Sequence, residues 1–158
     1  MLNSFFEAPP PPAPPPVAVV ARDRVAEIRA QAAKSGDVLS IDAVQNPAVI
    51  ALFARIESAD ASGDHFLARK LTVEARSIDP DNPTVLQYTA EALLQAESYL
   101  EAQTLAQRSF NASAQLGPLC VRNWLTIAEA NQAQGNLPGE AEARARAAGC
   151  PVKPVQRL

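Results

Sequence analysis

The chain has 158 residues and a formal net charge of −3, with acidic and basic side chains interspersed. That length bounds it to one domain of modest stability, and no Lys/Arg cluster of the kind that nucleic acid or anionic membrane attracts is present. The longest unbroken apolar run, Ala48 to Ala54, falls far short of the roughly 20 residues a membrane span needs.

Alanine is abundant, glycine is rare, and β-branched residues do not alternate with polar ones over any long run. Alanine is the best helix former and lets helices approach closely, so the chain reads as all-α. At the N-terminus, Met1-Leu2-Asn3-Ser4-Phe5-Phe6 has no basic start and is too short for a signal-peptide core. Half of the 14 prolines fall between Pro9 and Pro16, which predicts a polyproline II spacer within residues 1–20. The other reading of that run is a ligand for an SH3-like groove. A lead segment, residues 21–45, follows. Val25, Ile28 and Ala32 recur at helical spacing within Arg22 to Lys34, and Gly36 is a natural stop. Val38, Leu39, Ile41 and Val44 make Asp37 to Val44 an extended connector.

From Asn46 to Cys150 the pattern is helical throughout. Asn46-Pro47 and Asn82-Pro83 each place a capping side chain before proline at the first helical position. They open helices running to about Ser62 and Ala96. Gly63-Asp64 turns the chain into a helix from His65 to about Ser77, stopped by Pro80. Ser98-Tyr99-Leu100-Glu101 reads as a capping box opening a helix to about Ala112. Gly117-Pro118 begins another, to about Gln134. Gly135-Asn136 turns the chain into a last helix, Pro138 to Ala148, and residues 151–158 form a tail. Short loops between such helices make neighbours antiparallel, giving three hairpins in series.

The hairpins repeat. At a spacing of 34, Leu52 matches Leu86, Glu57 matches Glu91, His65 matches Tyr99, Ala68 matches Ala102 and Ala75 matches Ser109. The run Gly63-Asp64-His65-Phe66-Leu67-Ala68, then Ala75, then Asp79-Pro80-Asp81-Asn82 resembles the turn and second helix of a tetratricopeptide repeat. Glu97-Ser98-Tyr99-Leu100-Glu101-Ala102 resembles the same turn with its glycine lost. In the third unit Trp124, Ile127 and Ala128 match the first helix and Gly135-Asn136-Leu137 the turn. Arg55 departs from the pattern, the link between the second and third units is longer, and an extra residue precedes Ala141. The resemblance implies a short α-solenoid of about three hairpins, with small residues Ala68, Ala102 and Ala128 where helices come closest. It implies a protein-binding scaffold and not an enzyme. With its proline-rich lead the chain is similar to small tetratricopeptide proteins and lipoproteins of the bacterial cell envelope, in which a lipidated cysteine would precede the present Met1.

Cys120 begins the fifth helix of the array and Cys150 follows the sixth, so the two are neighbours in an antiparallel hairpin. A disulfide there would staple the last unit and place the protein in an oxidising space such as a periplasm. Two reduced thiols in a cytoplasmic protein are the alternative. In the family, the first helix of each hairpin lines the concave face. That resemblance implies an acidic ladder of Glu57, Glu91 and Glu129, flanked by Phe53, Gln87, Tyr88, Arg122 and Leu125, and a protein or peptide partner carrying basic residues. Three solvated helix-face glutamates are the plainer reading. The basic, asparagine-rich carboxylate clamp of some family members does not occur here.

His65 stands in the aromatic position that Tyr99 fills, so packing is expected of it. With one His and two distant Cys, the sequence offers no catalytic dyad, no zinc set and no phosphate loop, and the expectation is no cofactor and no metal. Asp60, Asp64, Asp79 and Asp81 read as capping and turn residues, Trp124 as core, and the sequon Asn111-Ala112-Ser113 as helical coincidence. A second class of function is a self-assembling structural subunit of an envelope or secretion/pilus-type assembly, a homo-oligomer whose open helical ends pair with copies of itself; exposed apolar residues on Ala21 to Lys34 would support it.

Overall fold

The computed structural model describes residues 21–36 and 46–152, and the proline-rich run, the Asp37–Val44 connector and the tail beyond Val152 lie outside the described residues. Seven helices make up the described chain: α1 (Arg24–Ala33), α2 (Pro47–Ala61), α3 (His65–Ile78), α4 (Pro83–Gln95), α5 (Tyr99–Ala112), α6 (Gly117–Ala133) and α7 (Leu137–Ala148). Helices α2–α3, α4–α5 and α6–α7 are hairpins, stacked through α3 on α4 and α5 on α6. The fold is an all-helical stack of hairpins with one extra helix.

Local chemistry sets the boundaries. Asn46 accepts from the Ala48 amide, and Asn82 from the amides of Thr84 and Val85, with proline next at each start. Asp23, Asp64 and Asn136 cap α1, α3 and α7 by accepting from the amides of Ala26, Leu67 and Gly139. Ser98 occupies the same position before α5 but makes no side-chain cap bond, so the capping box is not formed. Its backbone (φ −85°, ψ 66°) matches that of Asp64 (φ −86°, ψ 68°). The hairpin turns pass through the left-handed region at Gly63 (φ 80°), Glu97 (φ 62°) and Gly135 (φ 75°). The middle turn thus makes a glutamate adopt what glycine does freely.

The first hairpin buries Val49, Leu52, Phe53 and Ile56 of α2 against Ala68, Leu71 and Ala75 of α3, with Val85 and Tyr88 of α4 closing the cluster. The second core lies at the far end. There Val25, Ile28 and Ala32 of α1 join Cys120, Val121, Trp124, Leu125 and Ala128 of α6 and Ala143 and Ala147 of α7. Ala68, Ala102 and Ala128 are buried. Trp124 packs edge-on against Phe110 with the Arg146 guanidinium 4.7 Å from its ring. Cys120 and Cys150 form a disulfide with Cα atoms 5.9 Å apart. Nearby, the Gly117 amide donates to the Pro151 carbonyl at 2.8 Å, tying the segment just after α7 to the start of α6.

Helix α1 determines what the stack can offer. It has no hairpin partner. It lies across α6 and α4, on the face formed by the first helices of the hairpins. Its apolar stripe is at most 2% exposed. Val25, Ile28 and Ala32, the residues that would support self-assembly if they were exposed, are buried within the chain.

Candidate interaction site

Asp60, Glu91 and Glu129, on α2, α4 and α6, meet the basic residues of α1 and of the segment just before it. Arg29 reaches Asp60 with Nη1 at 2.9 Å and Glu91 with Nη2 at 2.8 Å. Arg22 and Arg24 each lie 3.2 Å from a Glu129 carboxylate oxygen, and Arg144 of α7 reaches the same carboxylate at 2.7 Å. The helix is therefore held by an apolar stripe in the middle and by arginines along its length.

Glu91 is the centre of this arrangement. It is fully buried, and two guanidinium groups hold it, Arg122 Nε at 2.7 Å and Arg29 Nη2 at 2.8 Å. Gln87 donates a further hydrogen bond at 3.0 Å. Burial by itself would raise the Glu91 pKa, but the charges of Arg122 and Arg29 and these hydrogen bonds outweigh it and lower the value to about 2. A polar line continues inward, as Gln87 donates to Thr126, and Asn123 donates to Gln87 Oε1 at 2.6 Å and to Ser109 at 2.8 Å. Unpaired, such buried charge and amide groups would cost several kcal/mol each, on the order given for desolvated ions.

Tyr88 joins this line to the first hairpin. Its ring stacks on Phe53 at 4.7 Å, with the Arg122 guanidinium 4.4 Å and the Arg29 guanidinium 5.1 Å from its centroid. Its hydroxyl donates to Glu57. Burial raises the Tyr88 pKa, Arg122 opposes this, and the bond to Glu57 adds to the rise, so the phenol stays neutral and donating.

The expected acidic ladder is corrected accordingly. Glu57, Glu91 and Glu129 do face one side of the stack, but Glu91 and Glu129 are buried under α1 and neutralised by arginines. Phe53, Gln87, Tyr88 and Leu125 are buried as well and flank no open groove. Arg122 is charge-paired inside the stack. The basic helix anticipated from a partner is supplied by the chain itself. Only Glu57 remains exposed, in a cleft of about 460 Å³ between α1 and α2 that also holds Asp23, Arg29 and Asp60.

His65 is 41% exposed rather than packed, with Nδ1 3.1 Å from Asp60 and Nε2 3.3 Å from the Gln95 amide. Asp60 thus serves Arg29 and His65, not a cap. Asp79 accepts from Asn82 at 3.1 Å, and Asp81 lies 3.8 Å from Arg108. Among the described residues no three His, Cys, Asp or Glu side chains cluster to hold a metal, and no helix is long and apolar enough to cross a membrane.

Sequence reasoning missed the opposite face. Helices α3 and α5, the second members of two successive hairpins, wall a groove of about 440 Å³ floored by Ala92 and Leu93 of α4. Val73 and Leu100 project there at 65% and 71% exposure. Arg69 and Arg76 line the α3 wall, Glu101 and Thr104 the α5 wall. A separate, smaller recess of about 130 Å³ shares Arg69, Thr72 and Ala92 with it and is lined also by Phe66, His65, Gln95, Arg29 and Asp60. The signal was in the sequence: Arg69, Val73 and Arg76 fall on one stripe of α3.

No protein-family model matches the chain, and none of the curated proteins compared matches it. Among solved structures it is similar to the globular C-terminal domain of P. aeruginosa LpoP, at 28% sequence identity and a TM-score of 0.59, over 66% of this chain and 98% of that one. The likeness accounts for nearly the whole of the other domain, and it extends to sequence as well as to the helical fold.

Proposed function

We propose that the chain is a non-catalytic protein-interaction scaffold of the bacterial cell envelope, built of tetratricopeptide-like hairpins, that works by positioning a partner. One observation carries the reading. The stack already receives a helix, α1, with no chemistry involved, through an apolar stripe between charge pairs. That face is filled by α1, while the opposite face keeps an apolar groove between α3 and α5 open to a partner segment. The disulfide supports an oxidising compartment, and the likeness to a domain from a bacterium agrees with a periplasm. Both cysteines are consumed in that bond, and the contacts of His65 are Asp60 and Gln95, which offer no nucleophile for it to activate. The apolar stripe of α1 that would have supported the self-assembling subunit, Val25, Ile28 and Ala32, is buried.

The test is brief chemical cross-linking of the full chain in its native envelope, followed by affinity purification. The expected result is a protein partner recovered in fixed ratio. Return of the chain alone, with and without cross-linking, contradicts the proposal.

A further inference from the structure

We infer that the α3–α5 groove is the docking site for an acidic amphipathic helix of a partner protein. This rests on the reading of the chain as an interaction scaffold and names the face and the kind of partner.

The floor and lips are apolar, with Val73 and Leu100 largely exposed at its mouth. Large apolar side chains facing each other across a groove mark an interaction site more than scattered surface residues do. Phe66, at 66% exposure, extends the apolar strip toward the start of α3. From Phe66 to Arg76 the strip follows about 15 Å of α3, at roughly 1.5 Å per residue. That length takes three turns of a helix, which is long for a small ligand.

Charge selects the occupant. Arg69 and Arg76 stand on the groove side of α3 and neither has a carboxylate partner among the described residues. Arg69 only leans over the Phe66 ring, 6.0 Å from its centroid. Seven positions separate them, about 10 Å along the helix. A docked helix with carboxylates two turns apart meets both guanidinium groups while its apolar face covers Val73 and Leu100. Arginine pairs with carboxylates through two parallel hydrogen bonds, which fixes orientation as well as sign. Glu101 on the α5 wall disfavours acidic residues on that side of the occupant, so its charge is confined to one edge. Helix α1 shows the same recipe on the opposite face with the signs reversed: apolar residues between charged ones, here basic, meeting acidic residues of the stack.

The full chain carrying a photoreactive amino acid at Val73 tests this in the native envelope. Ile50, 51% exposed on α2 and away from the groove, serves as the comparison site. The Val73 probe is expected to cross-link a segment of a different protein whose sequence is amphipathic and carries acidic residues about two turns apart. Yield should fall at least tenfold in the Arg69→Glu/Arg76→Glu variant and survive in Arg69→Lys/Arg76→Lys, which keeps the charge and checks folding. Cross-links to a second copy only, to a segment without carboxylates, or with yield indifferent to charge reversal overturn the inference. Capture of a protein from Ile50 but not from Val73 removes the groove and leaves the scaffold reading standing. Capture from neither site removes both.

Discussion

Arg29 of α1 and Glu91 of α4, 62 positions apart in sequence, form an ion pair at 2.8 Å in which the carboxylate is fully buried. Arg122 pairs with the same carboxylate from α6. One acidic side chain therefore ties together the extra helix and the first helices of two hairpins. Removing it leaves the Arg29 and Arg122 guanidinium groups without the carboxylate that lies between them.

Glu91→Gln is expected to destabilise the fold by about 3–5 kcal/mol, the cost of breaking a buried pair from one side. Arg29→Met should cost less, on the order of 1.5–3 kcal/mol for a charged hydrogen-bonded contact, because Arg122 still neutralises Glu91. Denaturant unfolding of the two variants checks the ranking. Equal losses would mean that Arg122 does not share the carboxylate.

Acid sensitivity follows from the same residue. Its folded pKa, about 2, lies below the ordinary 4.5. A depressed carboxylate contributes stability that is complete above its unfolded value and is lost as pH falls toward its folded value. Unfolding free energy should decline between pH 4.5 and pH 2, and the Glu91→Gln variant should decline less steeply over that range. Urea titrations at a series of pH values read both slopes.

The disulfide closes a sequence separation of 30, worth about 3.5 kcal/mol in the chain-entropy account. It sits beside the cluster that α1 enters, so reduction should loosen α6–α7 and α1 together. A Cys120→Ala/Cys150→Ala variant is expected to melt lower than the oxidised chain and to be insensitive to dithiothreitol. An unchanged melting temperature in that variant would remove the staple from the account.

Glu97 holds a left-handed backbone that Gly63 and Gly135 hold in the other two turns. A non-glycine residue costs about 1–2 kcal/mol there, and glycine gives back about 0.4–1 kcal/mol through the unfolded chain. Glu97→Gly is therefore expected to stabilise by about 0.5 kcal/mol, seen as a small rise in denaturation midpoint at constant slope.

The helices were legible because their signals are local. Asn46-Pro47, Asn82-Pro83, Gly63-Asp64 and Gly135-Asn136 mark ends by capping and backbone freedom, and each acts within a few residues. The 34-residue spacing revealed which helices pair, because Ala68 and Ala102 must be small wherever neighbouring helices meet. The cysteine pair was visible once the last hairpin was antiparallel. The docking of α1 was not legible in the same way. Its amphipathic stripe was clear, but where that stripe lands depends on Arg29 meeting Asp60 and Glu91, and Arg22 meeting Glu129, over 31 to 107 positions. A hint was present, since α1 carries basic residues on its sides and the first helices carry glutamates at matching places. The α3–α5 groove was missed because attention to the first helices leaves the second ones as mere packing partners.

Hydrogen exchange along α1 tests the central claim most directly. If this helix fills the face of the stack, amides within Arg24–Ala33 exchange as slowly as those of α6 in the full chain, and Glu91→Gln speeds α1 before it speeds α6. Exchange of α1 at the rate of an unstructured peptide, with α6 fully protected, would contradict the account and return Glu91 and Glu129 to an open groove.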